Sequence, residues 1–360
     1  MRQPAALVIQ YPRHHPVLIE VIMSRTRNFL IPFTLAAGAA AAFTAWWIRS
    51  GRATRAAYAS NTDDLLWQAI RQLNVGAESR YVTVNGLDLH TVIAGPTDGP
   101  LVVLLHGFPE NWYTWRNQIT FLANAGYRVV VPDQRGYNLS DKPQGIHNYR
   151  VEALTGDIKE LIHACGREKA IVVGHDWGGV VAWHLAMQHP EVVEKLVVMN
   201  APHPATYSRE IRENPAQQQK SWYIGFFQIP LLPEELLGHD PIESANLFFR
   251  KGAINQNAFS SFEIHVMATA LAQPDALTNM LNWYRAAVRY KDSFENVRPI
   301  ETPTLLIWAE EDQALGKSLT YGLGPWVNHL RIHYIPNCGH WVQNEAAAEV
   351  NEQLLSFIQS

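Results

Sequence analysis

Apolar and polar positions along this chain follow two alternating rhythms. Eight short runs rich in Val, Leu and Ile stand at 80–84, 87–94, 101–105, 128–132, 170–174, 194–199, 303–308 and 330–335. The first two flank Asn85-Gly86, a strong hairpin signal. The later runs are nearly continuous in aliphatic residues and are separated by stretches of helical period, the pattern of parallel strands covered on both faces. That alternation stops between about 203 and 300, where aromatic and helical segments replace strands. The pattern therefore predicts an α/β protein: a mostly parallel sheet with helices on both faces and a helical cap inserted into it. Residues 61–202 and 299–360 are the expected core and 203–298 the cap, bounded by His203-Pro204 and Arg298-Pro299.

Residues 1–60 read differently. Positions 29–48 are 20 residues without a charge, which as a helix would be roughly 30 Å long, the thickness of a bilayer core. Arg25 and Arg27 precede the run, Arg49, Arg52 and Arg55 follow it, and Trp46 and Trp47 sit at one end, where interfacial aromatics belong. A single membrane anchor is expected, with its orientation left open by the arginines on both flanks. The alternative is a secretory signal starting at Met23, with Ala57-Tyr58-Ala59 as the cleavage site. Residues 1–22 carry no motif. The basic stretch 49–55 reads as a linker, followed by a helix through Leu73 that Ser60 or Asn61 would cap, with Asp63 and Asp64 in its first turn.

Composition narrows the function classes. Of 360 residues 47% are hydrophobic and 17% charged, which provides a sizeable core and argues against disorder. A net charge of −4 gives no nucleic-acid footprint. Two cysteines, Cys165 and Cys338, form neither a disulfide framework nor a paired metal motif. Oligomeric state is left undetermined.

The chemistry centres on residues 170–179. A β-branched run meets Gly174, then Asp176, then Gly178 and Gly179, then a helical pattern. Gly-x-nucleophile-x-Gly between strand and helix is a nucleophile elbow. Asp occupies the centre, and a carboxylate attacks an sp3 carbon to make an alkyl ester without first losing a proton to a base. His106-Gly107-Phe108-Pro109 follows the third run. The amide of Phe108 and that of Trp177, the residue after the nucleophile, are the expected oxyanion donors, since Pro109 has none. Asp312 follows the seventh run beside Glu310 and Glu311, and spacing barely separates the three. His340 stands in the last loop before the C-terminal helix, giving the order nucleophile, acid, histidine. Tyr223 and Tyr284 lie in aromatic helical contexts and would by themselves read as packing residues.

Taken together, these motifs resemble the epoxide hydrolases of the α/β-hydrolase superfamily over roughly residues 78–360. The resemblance is carried by His106-Gly-Phe-Pro-Glu-Asn-Trp-Tyr-Thr-Trp115, Asp133-Gln-Arg-Gly-Tyr-Asn-Leu-Ser-Asp-Lys-Pro143, His175-Asp-Trp-Gly-Gly179, Asn282-Trp-Tyr-Arg285 and Cys338-Gly-His340. It implies Asp176 as nucleophile, Asp312 and His340 as the pair that activates water, and Tyr223 and Tyr284 as ring-opening acids. It further implies His106, Pro109 and Trp177 against the substrate, an apolar epoxide with water as co-substrate, and no metal or organic cofactor. The apolar N-terminal run is similar to that of the membrane-anchored branch and implies the lipid bilayer as a partner. Two rival readings stand beside it. A haloalkane or haloacid dehalogenase would share the Asp elbow but has no use for the tyrosine pair. A non-catalytic membrane-tethered ligand binder would share only the fold.

Overall fold

The computed structural model describes the backbone of residues 37–360 and side chains from residue 47 onward. Eight strands form one sheet: β1 (Glu78–Val84), β2 (Leu87–Ala94), β3 (Leu101–Leu105), β4 (Arg128–Pro132), β5 (Ala170–His175), β6 (Val193–Met199), β7 (Thr304–Ala309) and β8 (Leu330–Ile335). Their order is β1-β2-β4-β3-β5-β6-β7-β8. The β1–β2 and β2–β4 pairings are antiparallel and the rest parallel. All eight predicted runs are strands, with ends shifted by at most two residues. They were legible because a strand buried on both faces must be apolar throughout, as the wholly buried β3, β5 and β7 are.

Alternate strand residues point to opposite faces. Val103, Leu105, Val172 and Val198 enter one core, Val102, Leu104, Val173 and Val197 the other. Helices α1 (Ala37–Ala59) and α2 (Thr62–Leu73) precede the sheet. Around it are α3 (Arg116–Asn124), α4 (Val151–Ala164) and α5 (Trp177–Gln188). Between β6 and β7 come α6 (Pro204–Glu213), α7 (Pro215–Lys220), α8 (Trp222–Phe226), α9 (Leu232–Gly238) and α10 (Pro241–Ala245), then a π-helical turn Asn246–Lys251. That insertion closes with α11 (Ser261–Ala272), α12 (Ala276–Arg289) and α13 (Lys291–Glu295), and α14 (Val342–Glu345) and α15 (Ala347–Ile358) end the chain.

The region expected as a linker, 49–55, is instead the second half of α1, continuous with the end of the apolar run. Residues 45–360 form one compact unit. Within it residues 47–55 of α1 lie against the end of α9 in the cap. Trp47 stacks on His239 with ring centroids 3.5 Å apart and planes within 5°. Gly51 lets the backbones close in, since a β-carbon there would sit 2.9 Å from the His239 ring. Arg55 reaches Glu235 at 3.8 Å. Trp47, expected at a membrane interface, thus has an aromatic partner in the protein. Residues 1–36, including the leader and the first part of the apolar run, lie outside the described residues. Among the described residues no helix is long and apolar enough to cross a membrane. Asn61 occupies the N-cap of α2, but its side chain makes no capping bond.

Candidate active site

Asp176 stands between β5 and α5 with φ 49° and ψ −120°, a backbone conformation that costs a non-glycine residue of order 1–3 kcal/mol. The turn around it is too tight for side chains. A β-carbon on Gly178 would lie 2.1 Å from the Leu105 carbonyl, and one on Gly107 would lie 2.4 Å from Oδ1 of Asp176. The same closeness lets the loop after β3 serve the carboxylate: the Phe108 amide donates to Asp176 Oδ1 at 2.8 Å. The Trp177 amide also stabilises that carboxylate. Phe108 and Pro109 are joined by a cis peptide.

The loops after β7 and β8 bring up the other two groups. His340 Nε2 is 3.7 Å from Asp176 Oδ2, and its Nδ1 is 2.6 Å from Asp312 Oδ2. Asp312 is fixed from all sides. Its Oδ1 accepts from the amides of Ala314 and Leu315, and its Oδ2 from the Asn200 side-chain amide at 2.8 Å. The three neighbouring acids are thereby told apart. Glu310 pairs with Lys317 and Glu311 is exposed, whereas Asp312 is buried.

Burial works against every charge here, and the partners decide the balance. Burial lifts the Asp176 carboxyl above its usual range, with His340, His175 and the Phe108 and Trp177 amides pulling against it. For His340 burial depresses the imidazolium, but Asp312 and then Asp176 outweigh it and raise the pKa to about 9. Asp312 is held below the usual range, since His340 and its own hydrogen bonds overcome its burial. The free site therefore holds an imidazolium beside an ionised Asp312, with the Asp176 carboxyl pushed upward by burial and drawn back by His340.

Above Asp176 the cap contributes a cluster of aromatic rings. Tyr223, on α8, and Tyr284, on α12, have ring centroids 6.0 Å apart at 84°. Burial and the negative charge of Asp176 keep both phenols protonated, well above 10. Phe108 meets Phe227, Phe248 and Tyr284 edge-on at 5.3–5.8 Å, and Trp177 meets Tyr284 at 5.0 Å. The surroundings of Asp176 are thus apolar apart from the phenols, the imidazole and the amides. Among the residues the resemblance set against substrate, His106 is wholly buried. Its Nδ1 donates to the Gly107 carbonyl and its Nε2 accepts from the Gln134 amide, so neither ring nitrogen is free for a ligand. Pro109 is also buried.

Three buried residues were not singled out from the sequence. Asn200, at the end of β6, orients Asp312 and also accepts from the Ala309 amide. Glu110 and His175 form a second carboxylate–imidazole pair at 2.8 Å, both fully buried. His175 Nε2 in turn donates to the His340 carbonyl at 2.8 Å, so this pair braces the backbone of the histidine loop. The sequence did contain a signal. Glu110 and His175 flank the two catalytic motifs, and charged or titratable residues at the ends of buried strands need partners.

Known proteins resemble this chain over most of its length. A family model described as alpha/beta hydrolase fold matches residues 100–347. The AB hydrolase superfamily protein YfhM of Bacillus subtilis is 44% identical over 292 residues, spanning 79% of this chain and 99% of that one. Epoxide hydrolase 1 of Caenorhabditis elegans is 38% identical over 287 residues, 79% of this chain and 70% of its own. Among solved structures, an epoxide hydrolase of Bacillus megaterium in complex with an inhibitor superposes with a TM-score of 0.73 at 29% identity, covering 78% of this chain and 100% of that one.

Proposed function

From the premise that this chain belongs to the α/β-hydrolase family, as an enzyme of its epoxide hydrolases, we propose that it converts an apolar epoxide to a vicinal diol through a covalent ester on Asp176. The observation that carries this reading is a carboxylate at the elbow with an imidazole on one side, 3.7 Å away, and two protonated phenols in the cap above it.

Epoxide opening leaves an alkoxide, which needs a hydrogen-bond donor or a proton as it forms. Phenols kept neutral by burial supply both at neutral pH. Asp176 Oδ1 is occupied by the Phe108 amide, so Oδ2 attacks the ring carbon, the C–O bond breaks, and the oxygen takes its proton from a tyrosine. The ester carbonyl that results keeps Oδ1 in the oxyanion hole. His340 Nε2 then removes a proton from water, and the hydroxide adds to the Asp176 carbonyl carbon. Each amide donor to the tetrahedral oxyanion contributes about 3 kcal/mol. The proton that His340 sheds before this step restores the tyrosine; on collapse the departing diol oxygen takes the proton of the added hydroxyl, which leaves Asp176 a carboxylate and His340 protonated as at the start.

Esterification also adjusts the base. The Asp176 charge is one cause of the raised His340 pKa. Once that charge is lost in the ester, His340 gives up its proton more readily, at the step that needs a neutral imidazole. The aromatic surroundings favour an aryl or long-chain epoxide. A dehalogenase would leave both phenols without a task, and halide release against diol formation separates the two.

Single turnover of styrene oxide in 18O-labelled water tests the ester directly. The label should enter the Asp176 carboxylate and be absent from the first diol formed. Label in that diol would mean that water attacks the ring without an enzyme ester.

The apolar run 29–48 is proposed as a membrane anchor, supported by its length, its lack of charge and its flanking arginines. Alkaline extraction of membranes from expressing cells should leave the chain in the pellet, and its full release would remove this reading.

A further inference from the structure

The two phenols are held by unequal means. Tyr284 sits in α12, a 14-residue helix with most of its residues buried. Tyr223 sits in α8, a five-residue helix without a buried residue. A single turn of helix is unstable by itself, and α8 meets the core only through the partly buried Tyr223, Ile224 and Phe226. The chain just after it is less settled still, with Leu231 at φ 65° and largely exposed. Apolar ring contacts with Phe227 and Tyr284 do not fix the angle of Tyr223 by themselves, so directional polar ties matter here.

Arg285, the neighbour of Tyr284, is placed to supply them. It is 9% exposed and each of its three nitrogens is used. Nε donates to the Phe227 carbonyl at 3.0 Å, at the C-terminal end of α8. Nη2 donates to the Ile229 carbonyl at 3.1 Å. Nη1 pairs with Glu234 of α9 at 2.7 Å, which neutralises the buried guanidinium. The Phe227 amide itself bonds back to the Tyr223 carbonyl at 2.9 Å. Gln228 adds a weaker strap, from its amide to the carbonyls of Ile224 at 3.0 Å and Tyr284 at 3.5 Å. A planar fork with rigidly spaced donors suits this task better than an ammonium.

We propose that Arg285 is a positioning residue for ring opening, tying α12 to the end of α8 so that the Tyr223 and Tyr284 hydroxyls converge on one oxygen. The proposal rests on the reading of these tyrosines as the ring-opening acids. It assigns Arg285 to the first half of the reaction only, because Asp312, His340 and the oxyanion amides all sit on core loops that it does not touch.

The test is to measure ester formation and ester hydrolysis separately, by rapid quench and intact mass, in Arg285→Gln, Arg285→Lys, Tyr223→Phe and Tyr284→Phe of the full chain. Misplacing a donor by about an ångström should slow ester formation by roughly ten- to a hundredfold in Arg285→Gln, with hydrolysis of the ester within about twofold of the parent. Arg285→Lys should fall between, and adding Tyr223→Phe to Arg285→Gln should cost less than the two separate losses combined. Equal slowing of both steps, or unchanged ester formation in Arg285→Gln while the tyrosine variants are slow, overturns the proposal. Normal ester formation in both tyrosine variants overturns the donor reading itself, and the positioning role falls with it. Should Arg285→Gln fail to fold, Glu234→Gln keeps the question open to measurement. It loosens the same clamp and should also slow ester formation selectively, and an unchanged rate there counts against the clamp.

Discussion

Asp176, His340 and Asp312 lie far apart in sequence and meet because each follows the end of a strand in the parallel series β5-β6-β7-β8. Their charges are interdependent, and this has measurable consequences. In the proposed mechanism, replacing His340 with Gln removes the base but leaves the nucleophile and the phenols, so the enzyme should accumulate the ester. Intact mass should then rise by the mass of one epoxide per chain. Turnover at the parent rate would show that another group activates water. The pH dependence has a definite sign. In the free protein His340 holds its proton up to about 9. Hydrolysis requires the neutral ring, so its rate should climb with pH, through an apparent pKa below 9 because the ester has erased the Asp176 charge. A single-turnover profile rising only above pH 9 would show that Asp176 contributes nothing to that shift. At this scale the turn that carries Asp176 was legible in the sequence, because its glycine spacing is local, whereas the burial of Asp312 was not. Its two acidic neighbours look identical until burial and the Asn200 contact separate them.

Helices and strands differ in how much of them could be read in advance. The strands announce themselves through continuous apolar character. The cap helices do not, because α7, α8 and α10 are five or six residues long and are stabilised by tertiary contacts rather than by propensity. The arginines in the second half of α1 suggest a solvated linker, yet they lie on a helix whose Gly51 closes against His239 of the cap. One cap helix does carry a local signature. Ser260 and Glu263 close a capping box at the start of α11, each bonding the other's backbone. Ser260→Ala should therefore lower stability by about 1 kcal/mol in urea unfolding while leaving turnover unchanged. A large loss of activity would mean that α11 fraying reaches the site.

Across the whole molecule, buried polar ties join core and cap, and Arg116 on α3 carries several of them. Its guanidinium pairs with Glu263 of α11 at 2.7 Å, donates to the Ala258 carbonyl at 2.9 Å and reaches Asn344 of α14 at 2.5 Å. Removing one partner of such a group strands the others, so Arg116→Met should destabilise by about 3 kcal/mol, seen as an earlier urea midpoint. A shift under about 0.5 kcal/mol would place Arg116 among ordinary surface arginines.

Anyone shortening this chain from its N-terminus meets a choice set by the contact of Trp47, Gly51 and Arg55 with Glu235 and His239 of the cap. A cut just before residue 45 discards most of the greasy leader and spares the stacked indole. A cut at Thr62 also strips away the partner of His239 and of Glu235, on the same short helix whose Glu234 grips Arg285. The shorter product would be the easier one to handle, and the one whose lid is left without its outer splint.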